Sequence, residues 1–251
     1  MEAIATKIRK QCVKAINDYH MLEDGDKVLV AISGGKDSTI LALMLKEIQS
    51  KAKIDFELDF LMVDQKQPGF FADNYIQWMH NQGIKVKILE EDTYSIVTDK
   101  VAKHKSFCGL CSRLRRGILY NYAHTHKHSK IALGHHRDDL NETILMNMFY
   151  AGTLASMPPK LRSDDGRNVI IRPLCYVAEE NLKLYEKQLE IPVMPCNLCG
   201  SQDNLRRQKI KNLLSTLSGD EVELGAKMLA AQTNIKLSQL ADSDLYNFKN
   251  L

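Results

Sequence analysis

The segment Lys27 to Lys46, KVLVAISGGKDSTILALMLK, constrains the fold more than any other part of the chain. It begins with an apolar, β-branched run, Val28 to Ile32, that is typical of a buried strand. Two glycines follow, and apolar residues then recur at helical spacing from Ile40 to Leu45. A strand, a glycine pair and a helix in this order create an anion site, because the free N–H groups and the positive dipole end of the helix face the ligand.

The loop between this strand and helix carries side chains suited to a phosphate. Its six residues are Ser33, Gly34, Gly35, Lys36, Asp37 and Ser38. The serines can donate hydroxyl hydrogen bonds, Lys36 supplies a mobile cation, and Asp37 can hold a magnesium ion beside the phosphates. The loop lacks the Walker and dinucleotide-binding patterns. The hexapeptide SGGKDS instead resembles the PP-loop of the ATP pyrophosphatase superfamily, whose members cleave ATP between the α and β phosphates and adenylate a carbonyl oxygen.

Strands and helices alternate along much of the chain. The predicted strands are 28–32, 56–63, 84–89 and 130–133, with a further short strand at 169–171 after a loop or hairpin at 152–167. Helices are predicted at the N-terminus, after the strands and at 179–189, 203–217 and 221–233. The alternation predicts an α/β fold, a doubly wound, mostly parallel sheet whose ligand sites lie at the carboxyl ends of the strands.

We expect three segments in this PP-loop (adenine nucleotide alpha hydrolase-like) type of fold. They are an N-terminal helix at 1–24, an ATP-binding α/β domain at 25–175, and a mainly helical region at 176–251. The last segment contains a C-x-x-C pair, Cys196 with Cys199. The hydrophobic share of 44% and the charged share of 26% are those of a soluble globular protein. No signal peptide or apolar run of spanning length is present, so we expect a cytoplasmic protein without a membrane partner.

Four of the six cysteines form two C-x-x-C pairs, Cys108 with Cys111 and Cys196 with Cys199. Two thiolates at this spacing can bind one metal from the same side of a tight turn. Spacing alone leaves three interpretations open: a structural zinc site, a thiol–disulfide couple, or an iron–sulfur cluster held by three thiolates with one open iron. Cys12 lies on the apolar face of the first predicted helix, and we expect it in the core.

The run GHHRDD, residues 134–139, follows the fourth predicted strand and can reach the same crevice as the PP-loop. His135 could contact phosphate or the reacting base, and Asp138 and Asp139 could bind magnesium or position ATP. The alternative is that these acids cap the following helix, and both roles can hold together. Asp64, at the end of the second strand, is a candidate contact for adenosine and equally an ordinary turn residue.

Basic residues follow both cysteine pairs. They include Arg113, Arg115, Arg116, Arg206 and Arg207. If the two pairs meet, these cations form a phosphate-binding surface large enough for RNA. Four further cations could extend it: Lys160, Arg162, Arg167 and Arg172. The net charge of +3 does not by itself indicate such a surface. For any single arginine, a solvated helix face with ion-pair partners is the ordinary alternative.

Several sequence blocks together resemble the tRNA 2-thiocytidine biosynthesis family (TtcA). In family order they are SGGKDS, CGLCSRLRRGILY, ALGHHRDD, MPPKL with SDDG, IRPL and PCNLCGSQDNLRRQ. The resemblance spans about residues 4–214 and implies an ATP-dependent tRNA sulfurtransferase that 2-thiolates cytidine 32 through an adenylated base. It also implies a 4Fe-4S cluster that carries the sulfur. Residues after about 217 match nothing in the family pattern.

The resemblance assigns roles to the residues singled out above. The implied catalytic residues are Lys36, Asp37, Cys108, Cys111 and Cys199. The last three are the expected cluster ligands, with Cys199 preferred to Cys196. The implied ATP contacts are residues 33–38 with Asp64, Gly134, His135 and Asp139, and Asp37 and Asp138 are the expected Mg2+ ligands.

The resemblance implies three partners: tRNA, bound by the five arginines; a cysteine desulfurase as the sulfur source; and a second copy of the chain. Two alternatives keep part of this interpretation. The protein could be a 2-thiouridine synthetase of the same superfamily, or a zinc-stabilised RNA-binding protein without catalysis. The intact Lys36 and Asp37 argue against the second.

Overall fold

A computed structural model describes residues 2–68, 70, 72–100, 107–194, 202–220 and 223–250. Its strands are β1 (Asp26–Ile32), β2 (Phe56–Asp64), β3 (Val86–Glu90), β4 (Lys130–Ala132), β5 (Lys160–Arg162) and β6 (Val169–Ile171). They form one six-stranded sheet in the order β3-β2-β1-β4-β6-β5. Only β5 runs antiparallel to its neighbour within this sheet. The predicted α/β fold with a mostly parallel sheet is confirmed.

Helices precede, connect and follow the strands. They are α1 (Glu2–Asp18), α2 (Lys36–Gln49), α3 (Asp73–Asn81), α4 (Tyr94–Lys100), α5 (Phe107–Thr125), α6 (Arg137–Tyr150), α7 (Glu179–Leu189), α8 (Gln202–Asp220) and α9 (Leu224–Gln232). Two short 3-10 turns, Leu237–Gln239 and Phe248–Asn250, come last. No described helix combines the length and the apolar character needed to cross a membrane.

Alternate residues of the central strands enter two separate hydrophobic clusters. On one face, Val28 and Val30 of β1 pack in a cluster that includes residues of α1, α2, α3 and α7. On the other face, Leu29 packs with Ile131 of β4 and with Leu119 of α5. A parallel strand covered on both faces must be apolar along its whole length, which is why β1 reads as a continuous apolar run.

The first helix belongs to the larger of these clusters. Ile8 and Cys12 of α1 are fully buried in the cluster that holds Leu182 and Tyr185 of α7. The predicted core position of Cys12 is confirmed, and burial raises the pKa of its thiol well above the usual range. The division of the chain at residues 24 and 175 stays a prediction.

Candidate functional site

The PP-loop connects the end of β1 to the start of α2. Gly34 has φ of +80°, a left-handed conformation that favours glycine. Gly35 is the N-cap of α2, and no side chain caps it. Ser38 Oγ accepts a hydrogen bond from Ser33 N at 3.1 Å and lies 3.0 Å from Ser33 Oγ. The loop therefore keeps a fixed curve around the first N–H groups of α2, which is the arrangement that binds phosphate.

The loop after β4 packs directly against this anion site. A Cβ atom at Gly134 would lie 2.9 Å from Ser38 N and 3.0 Å from the carbonyl carbon of Asp37. Both atoms are backbone, so only glycine fits without moving the PP-loop. The predicted meeting of residues 33–38 with the GHHRDD segment is thus present in the structure.

Lys36 sits between two carboxylates. Its Nζ lies 3.0 Å from Asp37 and 3.4 Å from Oε1 of Glu179 in α7. Burial alone would lower the pKa of Lys36, but the negative charges of Asp37 and Glu179 raise it. Lys36 is therefore a positively charged side chain at the start of α2. Sequence analysis did not identify Glu179, which lies 143 positions away.

Asp37 has capacity left for a cation. Its Oδ1 atom is buried and lies 3.0 Å from the Lys36 ammonium, with no further hydrogen bond to a described residue. Mg2+ bound with nucleotide phosphates needs only one or two protein carboxylates, so Asp37 suits that role. Among the described residues, no three His, Cys, Asp or Glu side chains group together as a metal site.

The acids of GHHRDD stabilise helix ends. His136 is the N-cap of α6 and forms a capping box with Asp139, whose Oδ2 accepts from His136 N at 3.0 Å. Asp138 Oδ2 accepts from the backbone N of Glu179 at 2.6 Å, and Asp138 Oδ1 accepts from Arg137. The capping interpretation of these acids therefore holds, while the proposed Mg2+ role of Asp138 stays a prediction.

His135 contacts an arginine that follows β6. Arg172 Nε donates to His135 Nδ1 at 3.1 Å, and Arg172 Nη1 donates to the carbonyl of Pro158 at 2.5 Å. Burial, together with the charge of Arg172, lowers the pKa of His135 to about 4. Arg172 is itself buried. The expectation that it extends a surface for RNA is wrong, because its guanidinium faces inward.

Cys111 of the first cysteine pair contacts Gln65 at the same edge of the sheet. This buried residue directly follows β2, and its Nε2 lies 3.3 Å from Cys111 Sγ and 2.7 Å from Thr93 Oγ1. Asp64 Oδ1 accepts from Lys66 N at 2.8 Å, as a turn residue does, and its contact with adenosine stays a prediction. Sequence analysis missed Gln65, and its position just past a strand end was the only signal that could have found it.

The segments on either side of the second cysteine pair contact the PP-loop and helix α6. Met194 N donates to Gly34 O at 2.9 Å. After the pair, α8 places Arg207 against two acids of α6: Nε is 2.6 Å from Glu142 Oε2 and Nη2 is 2.9 Å from Asp139 Oδ1. Cys196, Cys199 and the side chain of Cys108 lie outside the described residues, so their predicted ligand roles are not tested.

The five arginines predicted to bind RNA have different surroundings. Arg113, Arg116 and Arg206 are exposed, and Arg206 lies over the ring of Tyr150. Arg115 donates to Gln65 Oε1 at 3.3 Å, and Arg207 is held by Asp139 and Glu142. RNA binding by the set stays a prediction, to which the three exposed cations are best suited.

A PP-loop domain family model matches residues 4–215 of this chain. A tRNA-cytidine(32) 2-sulfurtransferase of Bdellovibrio bacteriovorus is 53% identical over 99% of this chain and 95% of that protein. A Coxiella burnetii protein of the same name is 49% identical over 95% of this chain and 93% of that one.

Among solved structures, the U34-tRNA thiolase NcsA from Methanococcus maripaludis, described with its 4Fe-4S cluster, has the same fold. The TM-score is 0.73 at 21% identity, over 94% of this chain and 81% of that one. The sequence relatives confirm the resemblance found from the motifs. With the PP-loop and GHHRDD segments packed together as described, the chain belongs to the PP-loop family of tRNA-cytidine(32) 2-sulfurtransferases.

Proposed function

We propose that this protein is an ATP-dependent tRNA sulfurtransferase that converts cytidine 32 to 2-thiocytidine through an adenylated base. One observation carries the proposal. The PP-loop and Cys111 lie at the carboxyl ends of β1 and β2, where Cys111 contacts Gln65. The two flanks of the second pair reach the same region, since Met194 contacts Gly34 and Arg207 contacts Asp139 at the start of α6. A site that activates a base and then delivers sulfur to it needs these parts within reach of one nucleotide.

ATP would bind with its phosphates at the start of α2. The N–H groups after Gly35, the hydroxyls of Ser33 and Ser38 and the Lys36 ammonium would donate to phosphate oxygens. Lys36 would exchange its contact with Glu179 for one with phosphate. Asp37 would hold Mg2+, which when bound neutralises phosphate charge.

Activation is needed because the oxygen on C2 of cytosine is a poor leaving group. That oxygen would attack the α-phosphorus of ATP, forming an O–P bond while the bond to pyrophosphate breaks. The lysine and the helix N–H groups would stabilise the charge that develops on the phosphoryl oxygens. Attack of sulfide on C2 would then form the C–S bond and expel AMP, which takes the former base oxygen with it.

Three cysteines would hold a 4Fe-4S cluster: Cys108, Cys111 and Cys199. When bound, such a cluster supplies an iron without a protein ligand, on which sulfide can be carried. The described part of this donor set fits. Cys111 is half-buried and faces Gln65, whose amide N–H can donate to a thiolate sulfur.

The partners follow from the same chemistry. The exposed Arg113, Arg116 and Arg206 would contact tRNA phosphates, and Arg115 and Arg207 would help to shape that surface. A cysteine desulfurase would supply the sulfide, and we place the protein in the cytoplasm, where its tRNA substrate resides. A homodimer is the proposed assembly.

Product analysis with labelled ATP tests the proposal. With sulfide supplied, wild-type protein and tRNA carrying C32 should form AMP and pyrophosphate. A tRNA with A32 should reduce this by at least about tenfold, since the attacking oxygen is lost. Cys108→Ala should abolish thiolation and leave ATP binding intact. Formation of ADP and phosphate, equal turnover with both tRNAs, or stoichiometric zinc without iron in the purified protein would contradict the proposal.

A further inference from the structure

Arg172 and His135 form a pair that joins two strand ends. His135 follows β4, which lies next to β1, and its neighbour Gly134 touches the backbone of the PP-loop. Arg172 follows β6 and is held in place twice more, by its Nη1 bond to Pro158 O and by donation from its backbone N to Pro159 O at 2.9 Å. The guanidinium therefore meets the imidazole from a fixed direction.

This contact determines which ring nitrogen of His135 carries a proton. A guanidinium can only donate hydrogen bonds and stays charged in proteins. The Nδ1 atom that accepts from Arg172 Nε must therefore be unprotonated. A neutral imidazole has one N–H, so that hydrogen is on Nε2.

The charges around the ring favour the neutral form. Arg172 and Arg207 oppose a second positive charge, as does His136, while Asp139 favours one. Burial acts in the same direction as the two arginines, and the pKa of His135 falls to about 4. Among the described residues, only Arg172 hydrogen-bonds the His135 ring, so Nε2–H is left without a protein acceptor there.

We propose that Arg172 is a positioning residue that locks His135 in the neutral Nε2–H tautomer, so that His135 donates a hydrogen bond to a phosphoryl oxygen of ATP during adenylation. The assignment of the acceptor rests on the proposed function, whereas the tautomer does not. A neutral donor suits this place because the hydrogen bond from a fixed N–H strengthens as negative charge grows on the phosphoryl group. The neutral ring already carries this hydrogen, so it need not be protonated first.

Nitrogen NMR of histidine-labelled protein tests the tautomer directly. The His135 signals are identified by their loss in His135→Gln. The wild type at pH 7 should show one neutral imidazole with protonated Nε2 and unprotonated Nδ1. Arg172→Met should let His135 sample other protonation states, and Arg172→Lys, which keeps a cationic donor, should restore much of the wild-type pattern. A protonated Nδ1 in the wild type would overturn the proposal.

A double-mutant cycle tests the role in the reaction. In His135→Gln the side-chain amide keeps an N–H donor near the position of Nε2. An amide has no tautomers for Arg172 to select. Arg172→Met should therefore slow tRNA-dependent AMP formation by about tenfold or more in the wild-type background and by less than about threefold in His135→Gln. Equal losses in both backgrounds would show a merely structural arginine and overturn the proposal.

The two tests also separate this inference from the proposed function. If wild-type protein forms no AMP while the Nε2–H tautomer is observed, the proposed function is contradicted and the donation to ATP falls with it, but the tautomer assignment stands. The ATP affinity of each variant, measured by calorimetry, checks that the PP-loop remains folded.

Discussion

Arg207 of α8 donates from Nε to Oε2 of Glu142 in α6 at 2.6 Å, and this bond holds the helix that follows the second cysteine pair. Glu142 is almost fully buried, with 3% of its side chain exposed, and Lys211 of α8 lies 3.5 Å from its other oxygen. A buried carboxylate with two cations from one helix fixes that helix in register and orientation. Helix α8 is therefore held in a defined place against α6.

Glu142→Gln should destabilise the protein, because the two α8 cations lose their buried counter-charge. We expect a loss of about 1–3 kcal/mol in the free energy of unfolding, less than for a fully buried pair because Arg207 is partly exposed. Urea unfolding measures it. Glu57→Gln, at an exposed position of β2, is the control and should change stability by less than about 0.5 kcal/mol. Equal effects would refute the anchoring role of Glu142.

Glu179→Gln should tighten ATP binding by a few fold. Glu179 competes for Lys36 and would repel the phosphates. Although burial alone would raise its pKa, Lys183, Lys211 and Lys36 lower the pKa of Glu179 to about 2, so it is ionised at neutral pH. Calorimetry with ATP checks this against Glu180→Gln, an exposed neighbour. Weaker binding of ATP in Glu179→Gln would contradict the competition for Lys36.

Lys36→Met should weaken ATP binding by about tenfold or more, as expected for loss of a charge-assisted bond.

Gly134→Ala should disrupt the nucleotide site, since the added Cβ would meet three backbone atoms of the PP-loop within 3.0 Å. We expect ATP affinity to fall by about tenfold or more, from the displacement that such overpacking forces. Gly117→Ala in α5 is a matched control, because a Cβ there meets nothing within 4 Å and alanine favours a helix. If both variants bind ATP like the wild type, the close packing of the two loops is wrong.

His135 should make the protein lose stability on mild acidification. In the unfolded chain histidine binds a proton below about pH 6.5, whereas in the folded protein its pKa is about 4. Between these values the unfolded state binds more protons, so stability falls as pH falls. His135→Gln should show a smaller fall from pH 6.5 to 4.5 in thermal unfolding. Parallel profiles for the two proteins would mean that His135 is not buried neutral.

Cys12 and Cys175 should resist alkylation in the native protein. Both are fully buried, and burial raises the pKa of Cys175 to about 12 and that of Cys12 even further. Peptide mapping after iodoacetamide treatment at pH 8 should find these two unmodified and Cys111 modified in protein freed of iron. Rapid labelling of Cys12 would contradict its core position.

Periodic segments could be predicted from the sequence, and their bounds agree within a few residues. The apolar run at 28–32 became β1, and the helical spacing after it became α2. Two short elements were not predicted: α4, and β5, which lies in the segment expected to be a loop or hairpin. Seven-residue and three-residue elements contain too little periodicity, and β5 exists only because β6 pairs with it.

The motif residues of the site could be predicted, and their partners could not. Lys36 and Asp37 follow from the strand–glycine–helix pattern alone. Glu142, Glu179 and Arg172 act through contacts made by strands and helices far apart in the chain, so no local pattern marks them. Arg172 is the clearest example. An arginine near other cations in the sequence suggests an exposed surface, and only the fold shows that Arg172 is buried against His135.

Nucleoside mass spectrometry of a reconstituted reaction tests the central claim most directly. Protein loaded with iron and sulfide without oxygen would be incubated with unmodified tRNA, ATP, Mg2+ and sulfide, and the tRNA then digested. We expect 2-thiocytidine, mapped to position 32, with one AMP formed per thiolated base, and none of it with Lys36→Met. A product containing 2-thiouridine, or no thionucleoside despite a loaded cluster and bound ATP, would contradict the proposed function.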